Sequence, residues 1–426
     1  MLSSPSLAIS TCLQRYERFG IDLGLDRILH LLAQLNHPQH RVPMIHVAGT
    51  NGKGSVCAYL SAVLTAAGYR VGRYTSPHLV DWTERITLNE CPIEPERLLA
   101  ALAQVEAAID PTQASPTQFE VLTAAAWQIF AEAAVDVAVI EVGLGGRLDA
   151  TNVCDRPLAT VITSLSRDHW QRLGPTLADI AREKAGILKT GVPAIIGPLP
   201  PEAAAVVQQR VTELDCPRIA PTPAIYLPDR PDPYPWAIAE GIAYPLPLLG
   251  DMQLINSALA IAVFQVLRQK GWAIPDQAIQ AGMAQVQWPG RLQWMQWQNQ
   301  PLLVDGAHNP AAAKVLRTFI DQQHSGAVHW LMGMLSTKDH ADIFRELLRA
   351  GDRLTLVPVP EHSTADPTEL AELAHAICPE LADCQTATTL TEGLAQLHQL
   401  SPNPSDWNVL CGSLYLVGAF LGMAEP

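Results

Sequence analysis

A short apolar run, Met44–Ala48, ends directly in the loop Gly49-Thr-Asn-Gly-Lys-Gly-Ser55, and Val56–Ala67 then carries helical apolar spacing up to Gly68. This order of strand, glycine-rich loop and helix restricts the fold more than any other feature of the chain. Glycines let consecutive N–H groups face a phosphate, the helix N-terminus adds a favourable dipole, and Lys53 can reach terminal phosphates. Gly49, Thr50, Asn51, Gly52, Lys53, Gly54 and Ser55 are therefore candidate nucleotide contacts. Gly54 stands where a magnesium-binding Ser or Thr usually follows the lysine, so a metal would need another hydroxyl. Ser76, in Tyr74-Thr-Ser-Pro-His78 at the end of the next predicted strand, is the candidate; composition alone makes it a turn serine.

Val135–Val142 and Ala159–Ser164 read as two further buried strands, and strands alternating with helices predict a parallel sheet with helices on both faces. Glu141 ends the first of them, at the edge where such sheets bind ligands; its carboxylate suits Mg²⁺, or faces solvent. Pro198–Leu249 is rich in proline and reads as short strands and loops. Beyond the turn at Pro289-Gly290, strands are predicted at Pro301–Val304, His329–Met334, Arg353–Val357 and Trp407–Leu410. The helices between them are Ala311–Gln322, His340–Ala350, Pro367–Ala376 and Leu390–Leu397. A chain of 426 residues exceeds one ordinary core. The expected class is α/β. Residues 1–292 form an ATP-binding, phosphate-loop-type parallel-sheet domain, 293–299 a linker, and 300–426 a smaller Rossmann-like α/β domain.

The net charge of −14 disfavours nucleic acid and anionic membranes as partners. No apolar run approaches the roughly 20 uncharged residues of a membrane helix; Ala133–Gly146 carries Asp136 and Glu141. Met1–Gly20 lacks the basic head, apolar stretch and cleavage site of a secretory leader. Eight scattered cysteines without a CxxC pair argue against a zinc site or disulfide framework and fit a reducing cytoplasm.

His46-Val-Ala-Gly-Thr-Asn-Gly-Lys-Gly-Ser55, with Tyr74-Thr-Ser-Pro-His-Leu79 and Glu84-Arg-Ile86, resembles the dihydrofolate synthase/folylpolyglutamate synthase family, the folate branch of the Mur ligase superfamily. The resemblance covers essentially the whole chain. It implies an ATP- and magnesium-dependent ligase of folate biosynthesis and one-carbon metabolism. The enzyme would join L-glutamate to dihydropteroate, extend tetrahydrofolate with polyglutamate, or do both. The partners implied are these small molecules alone, and the state implied is a monomer.

The same resemblance distributes roles. Lys53, His169, Lys184 and His308 would be catalytic. Ser76, Glu141, His169 and Lys184 would hold metal, with two Mg²⁺ ions and Lys184 carried as a carbamate. An ammonium would repel the ions, whereas CO₂ addition makes it an anionic oxygen ligand; on its own, Lys184 in Glu183-Lys-Ala-Gly-Ile187 reads as a helix-face lysine beside a carboxylate, and a lone His169 reads as structural. Glu141-Val-Gly-Leu-Gly-Gly-Arg-Leu-Asp-Ala-Thr-Asn152 resembles members that accept dihydropteroate, with Asp149 and Ala150 as pterin contacts. Phe119, in Thr117-Gln-Phe-Glu120, either stacks on the flat ring or belongs to a helix core. In Asp305-Gly-Ala-His-Asn-Pro310, Asp305 would meet the ATP ribose, and His308 and Asn309 the nucleotide or acyl phosphate. Arg291, in Pro289-Gly-Arg291, would reach the ATP phosphates. Asn256 matches an adenine-side asparagine, although Met252 replaces the histidine usual in that motif. Lys338-Asp339 and Cys411-Gly-Ser-Leu-Tyr415 also fit, the latter as a structural motif.

The implied chemistry activates a carboxylate as an acyl phosphate, which the α-amine of glutamate then attacks. A cleft with the phosphate loop on one wall and the Asp305–Pro310 turn on the other would suit it. A Mur-type cell-wall ligase is a rival, but only 48 residues precede Gly49, few for the UDP-sugar-binding domain such enzymes carry. A nucleotide switch is another, yet Thr337-Lys-Asp-His340 has histidine where a guanine-reading motif needs aspartate. A phosphate-loop kinase with an unrelated second half is the third.

Overall fold

The computed structural model describes residues 5–17, 22–228, 233–400 and 406–424, at 398–400 and 424 by the main chain alone. The apolar run before the phosphate loop lies inside an eight-stranded sheet. Its spatial order is Cys91–Pro92, Ile86–Leu88, Val71–Tyr74, Val137–Glu141, Met44–Ala48, Ala159–Ile162, Ala194–Ile196 and Arg218–Ile219. The six strands from Val71–Tyr74 onward are parallel, and the first two add an antiparallel edge. Met44–Ala48 and Val137–Glu141 are buried at every position, which is why they read as unbroken apolar runs. Their register sets Val47 opposite Glu141, so the acid sits beside the start of the phosphate loop.

The helix after the loop, Lys53–Ala66, is buried continuously from Ser55 to Leu64. A helix apolar on all sides belongs inside a layer. Gly282, on the helix Asp276–Gln285, makes this possible: a Cβ there would lie 2.4 Å from the Val63 Cα, so only glycine admits the two backbones so close.

The Pro198–Leu249 stretch departs from its reading. It contains the helix Pro201–Glu213, opened by a proline at its first position, where the missing N–H costs nothing. Its buried stripe of Ala203, Val207 and Val211 is narrow, and the flanking prolines obscure it. A three-stranded antiparallel sheet follows, ordered Ile242–Pro245, Trp236–Ala239, Ile225–Leu227.

A second sheet of six strands is ordered Gln293–Trp297, Gln300–Val304, Trp407–Cys411, Val328–Met332, Arg353–Leu356 and Asp383–Thr386. All but the first are parallel. Residues 293–299, read as a linker, are instead an edge strand and its turn: Gln298 and Asn299 take positive φ (47° and 64°), the geometry of a two-residue hairpin. Asp383–Thr386 is too polar to have been read as a strand and sits at the opposite edge. Trp330, Leu303, Phe344 and Val409 lie in the buried core around this sheet.

Two compact units result. One comprises Met1–Ser166, Trp170–Pro247 and Gln253–Gln287; the other comprises Arg167–His169, Leu248–Met252 and Trp288–Pro426. The short segments 167–169 and 248–252 therefore belong to the second unit, which a single boundary near 293–299 does not foresee. Among the described residues no helix is long and apolar enough to cross a membrane.

Candidate active site

The phosphate loop of the first unit is held from behind. The Gly49 carbonyl accepts from Lys184 Nζ (2.8 Å), the Thr50 carbonyl from Lys53 Nζ (3.2 Å), and the Asn51 carbonyl from Thr163 Oγ1 (2.7 Å) and Ser164 Oγ (3.0 Å). Thr50 is fixed further by main-chain and hydroxyl bonds to Ser164 and Ser166. Gly52 is the helix N-cap, at φ 86°, and no cap side chain covers the first-turn N–H groups. That leaves the helix start suited to an anion. Gly49 is required sterically: a Cβ would lie 1.9 Å from Thr163 Oγ1. Asn256, expected on the adenine side, packs against the loop itself, since a Cβ on Gly52 would lie 2.4 Å from its Oδ1. Its Nδ2 donates to Gln253 Oε1 at 3.0 Å.

Glu141 is buried, and its carboxylate lies 3.9 Å from Lys53 Nζ while accepting the Ser76 N–H at 3.2 Å. Lys53, Ser76, Glu141 and Lys184 thus all come to the phosphate loop, whereas His169 belongs to the second unit. Among the described residues no group of three or more His, Cys, Asp or Glu is placed to hold a metal. The donor set at Glu141 and Ser76, one carboxylate with a neighbouring hydroxyl, nevertheless fits Mg²⁺. That ion commonly takes one or two carboxylates, substrate phosphates and water rather than a full protein cage.

The loop from Gly143 to Asn152 closes around Asp149. Its carboxylate accepts the N–H groups of Leu144 (2.8 Å) and Thr151 (3.0 Å) and the Thr151 hydroxyl (2.5 Å), and burial pushes its pKa up. The Thr151 hydroxyl gives its proton to Asp149, so it accepts from His46 Nε2 at 2.9 Å. Burial pushes the His46 pKa down to about 3, which keeps the ring neutral. Asn152 Nδ2 donates to the Arg147 and Gly186 carbonyls, and Arg147 pairs with Glu183 at 2.8 Å. Asp149 and Ala150, expected to touch a pterin, are buried within this loop and the adjoining core. Phe119 is half-buried and packs on the loop, since a Cβ on Gly143 would lie 2.5 Å from its ring. Its Thr117-x-x-Glu120 setting is a capping box. The Thr117 hydroxyl accepts the Glu120 N–H, and Glu120 accepts the Thr117 N–H at 2.7 Å. The sequence reading overlooked this role, although the spacing is the capping-box signature.

In the second unit, Gln300–Val304 runs into the turn Asp305–Pro310. Asp305 is buried and accepts the N–H groups of Leu292 and Ala307, each at 2.8 Å; burial pushes its pKa up, against the pull of Arg291. Arg291 donates to the Gly290 carbonyl, which also accepts the Gly306 N–H, so the Pro289–Arg291 and Asp305–Pro310 motifs are one structure. Asn309 caps the helix Pro310–Gln323, its Oδ1 accepting the Ala312 N–H at 2.9 Å, and its Nδ2 donates to Asp168 Oδ2 at 3.1 Å. His308 Nδ1 donates to the Gly306 carbonyl (2.8 Å), and its Nε2 lies 3.6 Å from Asp168. Lys338 Nζ donates to Asp168 Oδ1 at 2.8 Å. Burial alone would raise the Asp168 pKa, but His308, Lys338 and His169 hold it well below the usual carboxylate range. Asp168 is the residue that sequence reasoning missed. It stands in the Arg167-Asp-His169 segment, next to the histidine that the family resemblance singles out.

Residues 47–197 match the family model described as Mur ligase middle domain, and residues 291–423 match that described as dihydrofolate synthetase, C-terminal domain. The chain is 38% identical over 407 residues to a folylpolyglutamate synthase of Lacticaseibacillus casei, covering 92% of each chain. It is 36% identical over 349 residues to the dihydrofolate synthase/folylpolyglutamate synthase of Bacillus subtilis, covering 78% of this chain and 80% of that one. The fold matches the solved structure of Mycobacterium tuberculosis folylpolyglutamate synthase complexed with ADP and AMPPCP, with a TM-score of 0.89, 32% identity and 99% of both chains covered.

Proposed function

The chain belongs to the dihydrofolate synthase/folylpolyglutamate synthase family of the Mur ligases, and from that premise we propose how its own residues carry out the reaction. It is an ATP-dependent, amide-forming ligase of folate metabolism that adds L-glutamate to a folate-type carboxylate. Both dihydropteroate and tetrahydrofolate are proposed as acceptors, with a single activity as the alternative. A cytoplasmic monomer is the proposed setting, supported by eight cysteines that are all free.

The observation that carries the reading is the phosphate loop itself, with carbonyls engaged from behind, no side-chain cap, and Lys53 beside Glu141. The loop N–H groups of Gly49–Ser55 bind the ATP phosphates, and Lys53 turns from Glu141 to the terminal one. Arg291, Asp305, His308, Asn309 and Asn256 are assigned to ATP. Ser76, Glu141, His169 and Lys184 as a carbamate are the residues that would hold Mg²⁺, which would neutralise phosphoryl charge and polarise the γ-phosphate.

A carboxylate oxygen of the pterin substrate attacks the γ-phosphorus, and ADP leaves. Lys53, Arg291 and His308 offset the charge that spreads over the transferred oxygens. The α-amine of glutamate then adds to the acyl carbon, phosphate leaves, and the amide remains. Holding three reactants in line removes much of the entropic barrier. The loop around Asp149 and Ala150, with Phe119 beside it, is assigned to the pterin.

The test is ADP formation with ATP, Mg²⁺ and L-glutamate, offered dihydropteroate and tetrahydrofolate separately. Turnover with both is expected. Tetrahydrofolate alone would refute the pterin assignment of the loop 143–152. Turnover with neither, while ATP binds, would overturn the folate reading.

A further inference from the structure

Asp168 is a carboxylate with little contact with water: its side chain is 10% exposed. A buried charge of this kind persists only where its lone pairs are met. Here one oxygen takes Lys338 Nζ at 2.8 Å and the His169 N–H at 2.9 Å, and the other takes Asn309 Nδ2 at 3.1 Å and faces His308 Nε2 at 3.6 Å. The partners come from three separate segments. The two that carry His308, Asn309 and Lys338 follow the carboxyl ends of parallel strands, Gln300–Val304 and Val328–Met332, the edge at which such sheets bind ligands.

The consequences differ for each partner. Asn309 has its carbonyl committed to the helix cap, so its amide cannot flip without losing both that bond and the one to Asp168. His308 is fixed through both nitrogens, one on a main-chain carbonyl and the other towards the carboxylate. Lys338, a long flexible side chain, is held at 8% exposure in one conformation. A simple structural staple needs one cation, whereas this carboxylate gathers an ammonium, an imidazole and an amide.

We propose that Asp168 is a positioning residue for the ligase reaction, holding Lys338 and His308 ready for the negative charge of the transferred phosphate. The proposal rests on the ligase reading above.

The test compares D168N, which keeps the shape and removes the charge, with K338M and the double variant, over a range of Mg²⁺ concentrations up to saturation. D168N is expected to lower kcat about 10- to 100-fold, in the range typical of groups that orient a functional shell, with the KM for the pterin substrate little changed. Because Asp168 acts through Lys338, the double variant should lose no more than the worse single variant. Additive losses would overturn the proposal. So would a D168N defect that disappears as Mg²⁺ is raised, since Asp168 would then act through His169. A second readout does not depend on the substrate: reductive methylation of Lys338, followed by peptide mass spectrometry, should run several-fold faster in D168N than in the wild type. An equal rate would overturn the proposal even if the folate assignment stood, and a faster rate without folate turnover would fault only that assignment.

Discussion

The two units each place a glycine-containing turn between a parallel strand and a helix, and they hold those turns in different ways. At Gly49–Ser55 most of the support comes from outside: Thr163, Ser164 and Lys184 hold the Gly49 and Asn51 carbonyls, while the Thr50 carbonyl takes Lys53 from the loop itself. At Asp305–Pro310 the turn's own side chains do more of the holding: Asp305 binds the N–H of Ala307 within the turn and that of Leu292 outside it, and Asn309 caps the next helix. A loop that binds through its main chain must keep bulky side chains away, so its scaffold comes from elsewhere. A turn that presents side chains can use its own motif residues as scaffold. A motif residue can therefore serve as scaffold as well as ligand contact: Asp305 and Asp149 are each assigned to a ligand, and each holds its own turn by accepting buried N–H groups.

The sharpest way to break the comparison is Gly49→Ala. A Cβ placed 1.9 Å from Thr163 Oγ1, at φ 152°, cannot be accommodated without moving the loop. ATP binding should be lost, with ADP formation down at least about 100-fold; isothermal titration showing wild-type ATP affinity would mean that the outside grip is dispensable.

The second-largest effect is expected from Asp305→Asn. An amide has one acceptor oxygen where the carboxylate has two, so one buried N–H loses its partner, at a cost of about 1–3 kcal/mol. Urea unfolding should show the second unit destabilised and the first unchanged. A loss shared equally by both units would contradict the part of Asp305 in holding the turn.

The smallest effect concerns what the units have in common. Each buries a neutral histidine against a threonine hydroxyl: His46 on Thr151 at 2.9 Å and His329 on Thr355 at 3.0 Å. Burial lowers their pKa values from 6.5 to about 3 and about 4. Below pH 6.5 the unfolded chain takes up protons that the folded chain refuses. The stability each histidine contributes is therefore complete above its unfolded pKa and declines as the pH falls, by up to about 1.4 kcal/mol per unit. Unfolding measured between about pH 5 and 7 should show this slope in both units, and His46→Asn should flatten it in the first unit alone.

How much could be read in advance depended on whether a signal was local. The strands at Met44–Ala48 and Val137–Glu141 are buried on both faces, so their apolar runs announce them. Asp383–Thr386 is a strand because an edge is available beside Arg353–Leu356, and nothing in Asp-Cys-Gln-Thr says so. Gln293–Trp297 failed as a linker for a related reason: alternate half-burial on a sheet edge leaves a weak pattern. Of the candidate site residues, Glu141 and Ser76 were legible from their places at or just past strand ends, and Lys53 from the phosphate loop that it closes into a helix. The hub at Asp168 was not, because its partners are 141 and 170 residues away in the chain.

The sequence by itself determined the phosphate loop, the alternation of strands and helices, and the family. These rest on short-range regularities: glycines where backbones must open, apolar runs where strands are buried, and motif spacings within a few residues. Only the tertiary structure decided which motif residues reach outward and which hold the turns. That choice depends on long-range partners, such as Thr151 for His46, Leu292 for Asp305 and Lys338 for Asp168. A buried charge or hydroxyl takes whatever partner the fold brings within about 3 Å, and sequence spacing carries no record of that distance.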